Sequence, residues 1–234
     1  NSVVEFDEPA RNVDWQVQTG HPMGCALLYK SKGIFRDAAH VESLPHVNNA
    51  RPGDIIIEDY NKDEIINNDD RVLYDQTVDP EITYGVTFSL SYKNWNLNAL
   101  VQGVGNCMRD MSLSLQGSEG NYYTYDSKDR WTPDNIDASK PRAWERTEEY
   151  WRSGYTTDFY YNNCAYARLK NLQITYTIPK NIQKVVWMKN AEIYASGQNL
   201  FLIYSGNKIM DPELGGSYNY PLMKVYSVGV NVTF

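Results

Sequence analysis

The sequence predicts an all-β fold, the strands of a large antiparallel transmembrane β-barrel with long extracellular loops, on the strength of three observations. Residues 84–92 (YGVTFSLSY) place Tyr84, Val86, Phe88, Leu90 and Tyr92 on one face and Gly85, Thr87, Ser89 and Ser91 on the other. A strand here has an apolar face with a ring at each end, the profile of a strand crossing hydrocarbon. The stretch 225–234 (VYSVGVNVTF) repeats the pattern, with Tyr226, Val228, Val230, Val232 and Phe234 alternating with small polar residues. Taken alone, those ten residues fit an ordinary half-buried antiparallel strand equally well. The third observation decides: the connections between candidate strands alternate long and short, as in bacterial barrels, whose short turns are periplasmic and whose long loops lie outside.

Composition narrows the classes. The 234 residues carry a formal charge of −7, which argues against nucleic-acid binding through a general basic surface. Mean hydropathy is −0.56, and no apolar run approaches the roughly 20 residues of a membrane helix. A barrel remains compatible, because its strands hide half their residues in a polar lumen. The 19 tyrosines and 6 tryptophans suit interface girdles, sugar-stacking surfaces and β-structure alike. Cys25, Cys107 and Cys164 are far apart and odd in number, so neither a disulfide framework nor a zinc site is expected. The opening NSVVEFDEPA shows no initiator Met or signal peptide and reads as a mature product or a fragment.

Residues 1–20 carry no element signal, and Pro22 to Tyr29 are expected to form a first strand. Loop character runs over 30–81, with a turn at Pro52-Gly53. Within it Asp59 to Asp70 (DYNKDEIINNDD) has the spacing of a twelve-residue calcium loop: Asp59, Asn61, Asp63, Asn67 and Asp70 supply side-chain oxygens and Ile65 a carbonyl. Glu64 stands where a glycine usually makes the sharp turn, and Asp70 is shorter than the customary bidentate Glu. A solvated acidic turn is the other reading of the same residues.

Two strands follow, Ile82 to Tyr92 and Trp95 to Val104, joined by a tight turn at Lys93-Asn94. Their outward set is Tyr84, Val86, Phe88, Leu90, Trp95, Leu97 and Val101. The stretch 106–164 lacks periodicity and is rich in rings; Tyr122, Tyr123, Trp131, Trp144 and Trp151 are candidate substrate-stacking residues. The competing role for each ring is packing the loop against itself. A strand resumes near Tyr166 and stops at Pro179, Ala191 to Ile203 form the next, 204–222 are a loop, and the closing strand follows. With Phe234 periplasmic, loops 30–81, 106–164 and 204–222 are outside and Lys93-Asn94 and 179–190 inside.

The order of motifs resembles the C-terminal part of SusC/RagA-type TonB-dependent outer-membrane transporters. The resemblance rests on PGDIIIEDYNKDEIINNDDRV (52–72), YGVTFSLSYKNWNLNALVQG (84–103), DRWTPDN with the following PRAW (129–144), YARLKNLQITYTIP (166–179), EIYASGQNLF (192–201), DPE (211–213) and YSVGVNVTF (226–234). It implies a plugged barrel of about 22 strands, of which about six fit in this chain, fewer than the eight of the smallest closed membrane barrels. The whole chain, 1–234, is thus expected to be one C-terminal barrel segment, with the plug domain and the TonB-contacting region upstream and absent. The family's function implies energy-coupled import of a glycan or oligopeptide. The implied partners are the rest of the barrel and plug, a SusD-like surface lipoprotein, the TonB complex and outer-membrane lipid, and Ca2+ is the only cofactor expected.

Two other classes compete. A soluble calcium-stabilised glycan-binding β module accounts for the acidic loop and the rings, but not for the strand pair with a lipid profile. An enzyme with paired carboxylates such as Glu148 and Glu149 is disfavoured, because charge pairs in loops are usually solvated, and His21, His40 and His46 have no credible nucleophile beside them.

Overall fold

The computed structural model describes all residues except 1, 6, 111–123, 144–155, 186, 215–219 and 221. In chain order the strands are β1 (Ala26–Tyr29), β2 (Ser31–Ile34), β3 (Ile55–Ile57), β4 (Arg71–Tyr74), β5 (Ile82–Tyr92), β6 (Trp95–Gly105), β7 (Met108–Asp110), β8 (Tyr161–Asn163), β9 (Tyr166–Thr177), β10 (Asn190–Ser205) and β11 (Val225–Thr233). Short helices α1 (Ala38–Glu42), α2 (Thr124–Ser127) and α3 (Lys180–Val185) sit between them. The chain forms two compact units, Asn1–Val78 with Arg109–Asn162, and Asp79–Met108 with Asn163–Phe234.

The first unit is built from short pieces. β1 pairs antiparallel with β4, from Ala26 opposite Tyr74 to Tyr29 opposite Arg71, and β2 pairs with β3. Ile55, Ile56 and Ile57 are all buried, the continuous apolar run of a strand covered on both faces. Phe35, Val41 and Ile56 form a small core on which Leu44 and Ala50 pack. Helix α1 is started by Asp37, whose carboxylate accepts the His40 N–H at 2.8 Å. Asp54 is wholly buried (0% exposed) and accepts both the Arg142 guanidinium at 2.6 Å and the Arg51 N–H at 2.8 Å. Breaking such a pair from one side leaves a buried charge.

Two expectations are corrected here. The predicted first strand exists, as Ala26–Tyr29, but it pairs within this unit and not in the membrane-type sheet, which among the described residues has five strands and not six. Four residues are too few to cross a bilayer, which takes about 9–11, and the consecutive burial of Leu28 and Tyr29 lacks the alternation of a two-faced wall. The stretches 30–81 and 106–164 are likewise not purely loop, since β2–β4, β7 and β8 lie in them. Strands of three or four residues are too short to show a period.

The second unit is one antiparallel sheet in the order β11-β10-β9-β6-β5. Its strands have 9, 16, 12, 11 and 11 residues, enough to cross hydrocarbon. The β5–β6 turn closes through Lys93 at φ 54°. Close packing across the strands depends on particular glycines. Tyr84 lies over Gly103, and Tyr194 over Gly229, where a Cβ would collide with the tyrosine side chain. In β10 the register shifts between Gln198 and Phe201. Asn199 there takes φ 52°, and a Cβ on Gly197 would come within 2.5 Å of Leu200. The SGQNLF segment is thus a bulge whose glycine leaves room for the leucine.

Candidate functional site

The sheet register sorts the side chains of five strands into two faces. Opposed residues of antiparallel strands share a face. One row runs Tyr92, Trp95, Tyr176, Ile193, Val230; the next Leu90, Leu97, Ile174, Ala195, Val228; the third Phe88, Ala99, Leu172, Gly197, Tyr226. All the outward residues expected on β5 and β6 (Tyr84, Val86, Phe88, Leu90, Trp95, Leu97 and Val101) lie on this face. The opposite face carries Ser89, Asn98, Gln173, Ser196 and Ser227 in one row and Ser91, Asn96 and Thr175 in another. Leu90 is 67% exposed and Val228 80%. An apolar face of this extent in water is an association or aggregation surface; against hydrocarbon it is the low-energy arrangement. Among the described residues β5 pairs only with β6 and β11 only with β10.

On the polar face, an ion-pair network ties the segment after β10 to β9. Arg168 is opposite Gln102 and Leu202 and only 4% exposed, with its guanidinium 2.5 Å from Asp211 and 3.4 Å from Glu213. Lys170 lies 2.7 Å from the second oxygen of Glu213. It occupies the register shift that falls between Leu100 and Val101 on the partner strand, a bulge that re-aims its side chain. Sequence inspection finds RLKNLQ and DPE as separate motifs and misses that they are halves of one cluster. The available signal was charge: Arg and Lys two apart against Asp and Glu two apart.

The acidic loop folds as a turn closed by its own backbone. Asp59 accepts the N–H groups of Lys62 at 2.7 Å, Asp63 at 3.2 Å and Glu64 at 2.8 Å. Asp63 accepts from Ile65 at 2.8 Å, and Lys62 and Glu64 adopt φ 63° and 64°, so Glu64 takes the left-handed conformation for which glycine is usual. Asn67 and Asp70 do something else. They form a capping box on the 3-10 turn Asn68–Asp70. Asp70, 0% exposed, accepts from Tyr60 at 2.9 Å, Asn61 at 3.4 Å and Asn67 at 2.8 Å, while Asn67 accepts from Asp69 at 2.7 Å. Trp15 and Gln16 donate to carbonyls of the same turn, those of Asp69, Asn68 and Arg71. Among the described residues no three acidic, His or Cys side chains are grouped closely enough to hold a metal ion. The six expected calcium ligands therefore divide: Asp59, Asn61, Asp63 and the Ile65 carbonyl sit in one turn, and Asn67 and Asp70 serve as helix caps.

Of the ring candidates, Tyr122, Tyr123, Trp144 and Trp151 lie outside the described residues, as do Glu148 and Glu149. Trp131 is engaged in packing. Its indole N–H donates to the Arg36 carbonyl at 2.9 Å, and Gly53, at φ 86°, packs so close that a Cβ would stand 2.6 Å from the ring. Asp158 joins the two chain segments of the first unit by accepting from Ser31 (N–H at 2.8 Å, hydroxyl at 2.5 Å) and from the Tyr74 hydroxyl at 2.8 Å. Burial first, and then the hydrogen bond to Asp158, push the Tyr74 phenol above its ordinary range. The histidines are held locally, His21 by Asp75 at 2.5 Å and His46 by the Leu44 carbonyl at 2.8 Å.

No protein-family model matches the chain. It is similar to two curated proteins of Formosa agariphila. TonB-dependent receptor P3 is 27% identical over 235 residues, 93% of this chain. TonB-dependent receptor P26 is 30% identical over 195 residues, 75% of this chain. The chain spans 23% and 19% of the lengths of these two relatives. Among solved structures it resembles the RagAB peptide importer in its open-open state, with a TM-score of 0.65 and 20% identity over 93% of this chain and 23% of the other. The RagAB peptide transporter gives a TM-score of 0.62 over 90% of this chain. At that identity the likeness establishes the all-β fold. Both curated relatives are named as TonB-dependent receptors.

Proposed function

We propose, from the premise that this chain is a segment of a SusC/RagA-like TonB-dependent transporter of the outer membrane, that it builds part of the barrel wall through which a glycan or oligopeptide is imported at the expense of TonB-delivered energy. The observation that carries this reading is the register. Five consecutive strands keep one apolar and one polar face in phase, Leu90 to Val228 on one side and Ser89 to Ser227 on the other. A wall between lipid and an aqueous lumen needs that phase in every strand. Inside hydrocarbon the outer edges of β5 and β11 also need partners for their backbone groups, so each pairs with a strand of the remaining barrel, in the same or another polypeptide. The 205–214 segment continues from β10 at the end of the sheet where the long connections lie, the extracellular end by the barrel rule. A SusD-like surface lipoprotein would cover the barrel from that extracellular side.

The test is uptake by cells expressing the full-length transporter, offered labelled oligopeptides and labelled oligosaccharides, with TonB and the neighbouring lipoprotein deleted in turn. Accumulation of one cargo class, lost on either deletion, is the expected result. Uptake indifferent to TonB would refute energy coupling, and uptake indifferent to the lipoprotein would remove that partner.

Calcium is proposed for the turn Asp59–Ile65 alone, with a stabilising and not a catalytic role. Asp59, Asn61, Asp63 and the Ile65 carbonyl are the oxygen donors that a hard cation takes, and waters would complete its shell. Hydrogen exchange of residues 59–65 in the full-length protein is expected to slow when Ca2+ replaces EDTA. Identical exchange in both conditions would show a turn held only by its own N–H donors.

A further inference from the structure

We infer that the short-turn end of the five-stranded sheet binds the phosphate headgroups of anionic phospholipid, phosphatidylglycerol being the model ligand. Four elements meet at that end. The Lys93-Asn94 turn is joined to β9 by the Thr177 N–H donating to the Asn94 carbonyl at 2.9 Å. β9 is joined to β10 by the Ile178 N–H donating to Ala191 at 2.9 Å, and the β9–β10 connection to β11 by the Lys189 N–H donating to Thr233 at 2.7 Å. α3 is held against the same connection by Gln183, which donates its amide to the Ile178 carbonyl at 2.6 Å.

The charge at this end is one-sided. Residues 92–96, 176–192 and 230–234 contain Lys93, Lys180, Lys184 and Lys189 against one acidic side chain, that of Glu192. Lys93, Lys180 and Lys189 are exposed, and among the described residues none of the three has a carboxylate partner. Within the same unit the opposite end is balanced, Asp79, Glu81, Asp211 and Glu213 standing with Arg168, Lys170, Lys208 and Lys224.

Rings accompany the lysines. Lys93 lies over the Tyr92 ring, 5.2 Å from its centroid, and Trp95 and Tyr176 pack with centroids 4.7 Å apart. Ile182 is 55% exposed and Trp187, at φ 58°, is 88% exposed. Amphipathic rings at headgroup depth beside unpaired ammonium groups are the pattern that anchors a protein to an anionic leaflet. This inference rests on the barrel reading, which makes the short-turn end periplasmic and the adjoining leaflet the inner one.

The test uses the full-length transporter reconstituted in nanodiscs of phosphatidylethanolamine, phosphatidylglycerol and lipopolysaccharide. The lipids retained after transfer to mild detergent are counted by native mass spectrometry. The unaltered protein is expected to retain phosphatidylglycerol several-fold over its share of the disc. The variant Lys93→Gln/Lys180→Gln/Lys189→Gln is expected to retain phosphatidylglycerol only at its share of the disc, since each lysine near an anionic surface contributes about fivefold in affinity. Raising salt from about 0.05 M to about 0.5 M should release the same lipid from the unaltered protein, so the question is answered even where the triple variant does not fold. Equal enrichment in variant and parent, or retention of lipopolysaccharide in place of phosphatidylglycerol, overturns the inference. Failure of the unaltered protein to enter the disc would overturn the barrel reading instead.

Discussion

Phe88→Arg is expected to destabilise the intact barrel in a bilayer by about 2–4 kcal/mol, whereas Ser89→Arg changes its stability by no more than about 1 kcal/mol. The two residues are neighbours in sequence and lie near the middle of β5, so membrane depth and strand propensity are nearly the same for both. They differ in face. Phe88 is opposite Ala99 in a row that ends at Tyr226, on the apolar face that meets lipid in the proposed wall. An arginine there must carry its charge into hydrocarbon or bend to the interface. Ser89 is opposite Asn98 and donates its hydroxyl to the Asn98 amide oxygen at 2.7 Å. Arginine at 89 loses that bond, worth about 1 kcal/mol, but its guanidinium is on the aqueous side. Reversible denaturation of the full-length protein in liposomes measures both. Equal tolerance at the two positions would sink the assignment of faces, and with it the wall.

Asp70→Ala is expected to remove about 2–5 kcal/mol locally, because it leaves the Tyr60 and Asn67 N–H groups, and the weaker Asn61 contact, without an acceptor in a site closed to water. The loss should spread along named contacts. The 3-10 turn that Asp70 caps supplies the carbonyls that hold Trp15 and Gln16. Hydrogen exchange in the full-length variant is therefore expected to rise across residues 59–71 and around Trp15, while β5 and β6 stay protected. Asp70→Asn, which keeps one acceptor oxygen, should fall between parent and alanine. The EDTA comparison separates this effect from metal binding, since a cap works whether or not Ca2+ is present. Exchange unchanged in Asp70→Ala would show that the buried carboxylate does not hold the turn.

The acidic stretch shows where spacing stops being informative. Twelve residues with oxygen donors at the right intervals match a cation loop, yet Asp69 and Asp70 also match the start of a helical turn preceded by Asn67. Asp70 turns inward to the N–H groups of Tyr60 and Asn61 in the same stretch, and Trp15 and Gln16, which hold the turn's carbonyls, arrive from elsewhere in the chain. The rings of 106–164 illustrate the same limit. Trp131 looks like a stacking platform in sequence; Gly53, 78 positions earlier, brings its backbone against the ring.

The strands of the wall were legible because their information is local. A two-residue period states which face each side chain takes, whatever the partner strand, and the 225–234 and 84–92 stretches state it without interruption. Loop parity is equally a property of the chain read in order, since it needs only the lengths of successive connections. Pairing is different in kind. That Ala26–Tyr29 joins Arg71–Tyr74 and stays out of the sheet, and that Arg168 and Lys170 close on Asp211 and Glu213, depends on contacts between residues more than 40 positions apart. Such contacts must offset loop-closure entropy by burying charge and backbone together. Many pairings satisfy the pattern of a short strand or a charged pair, and only the packed fold selects one of them.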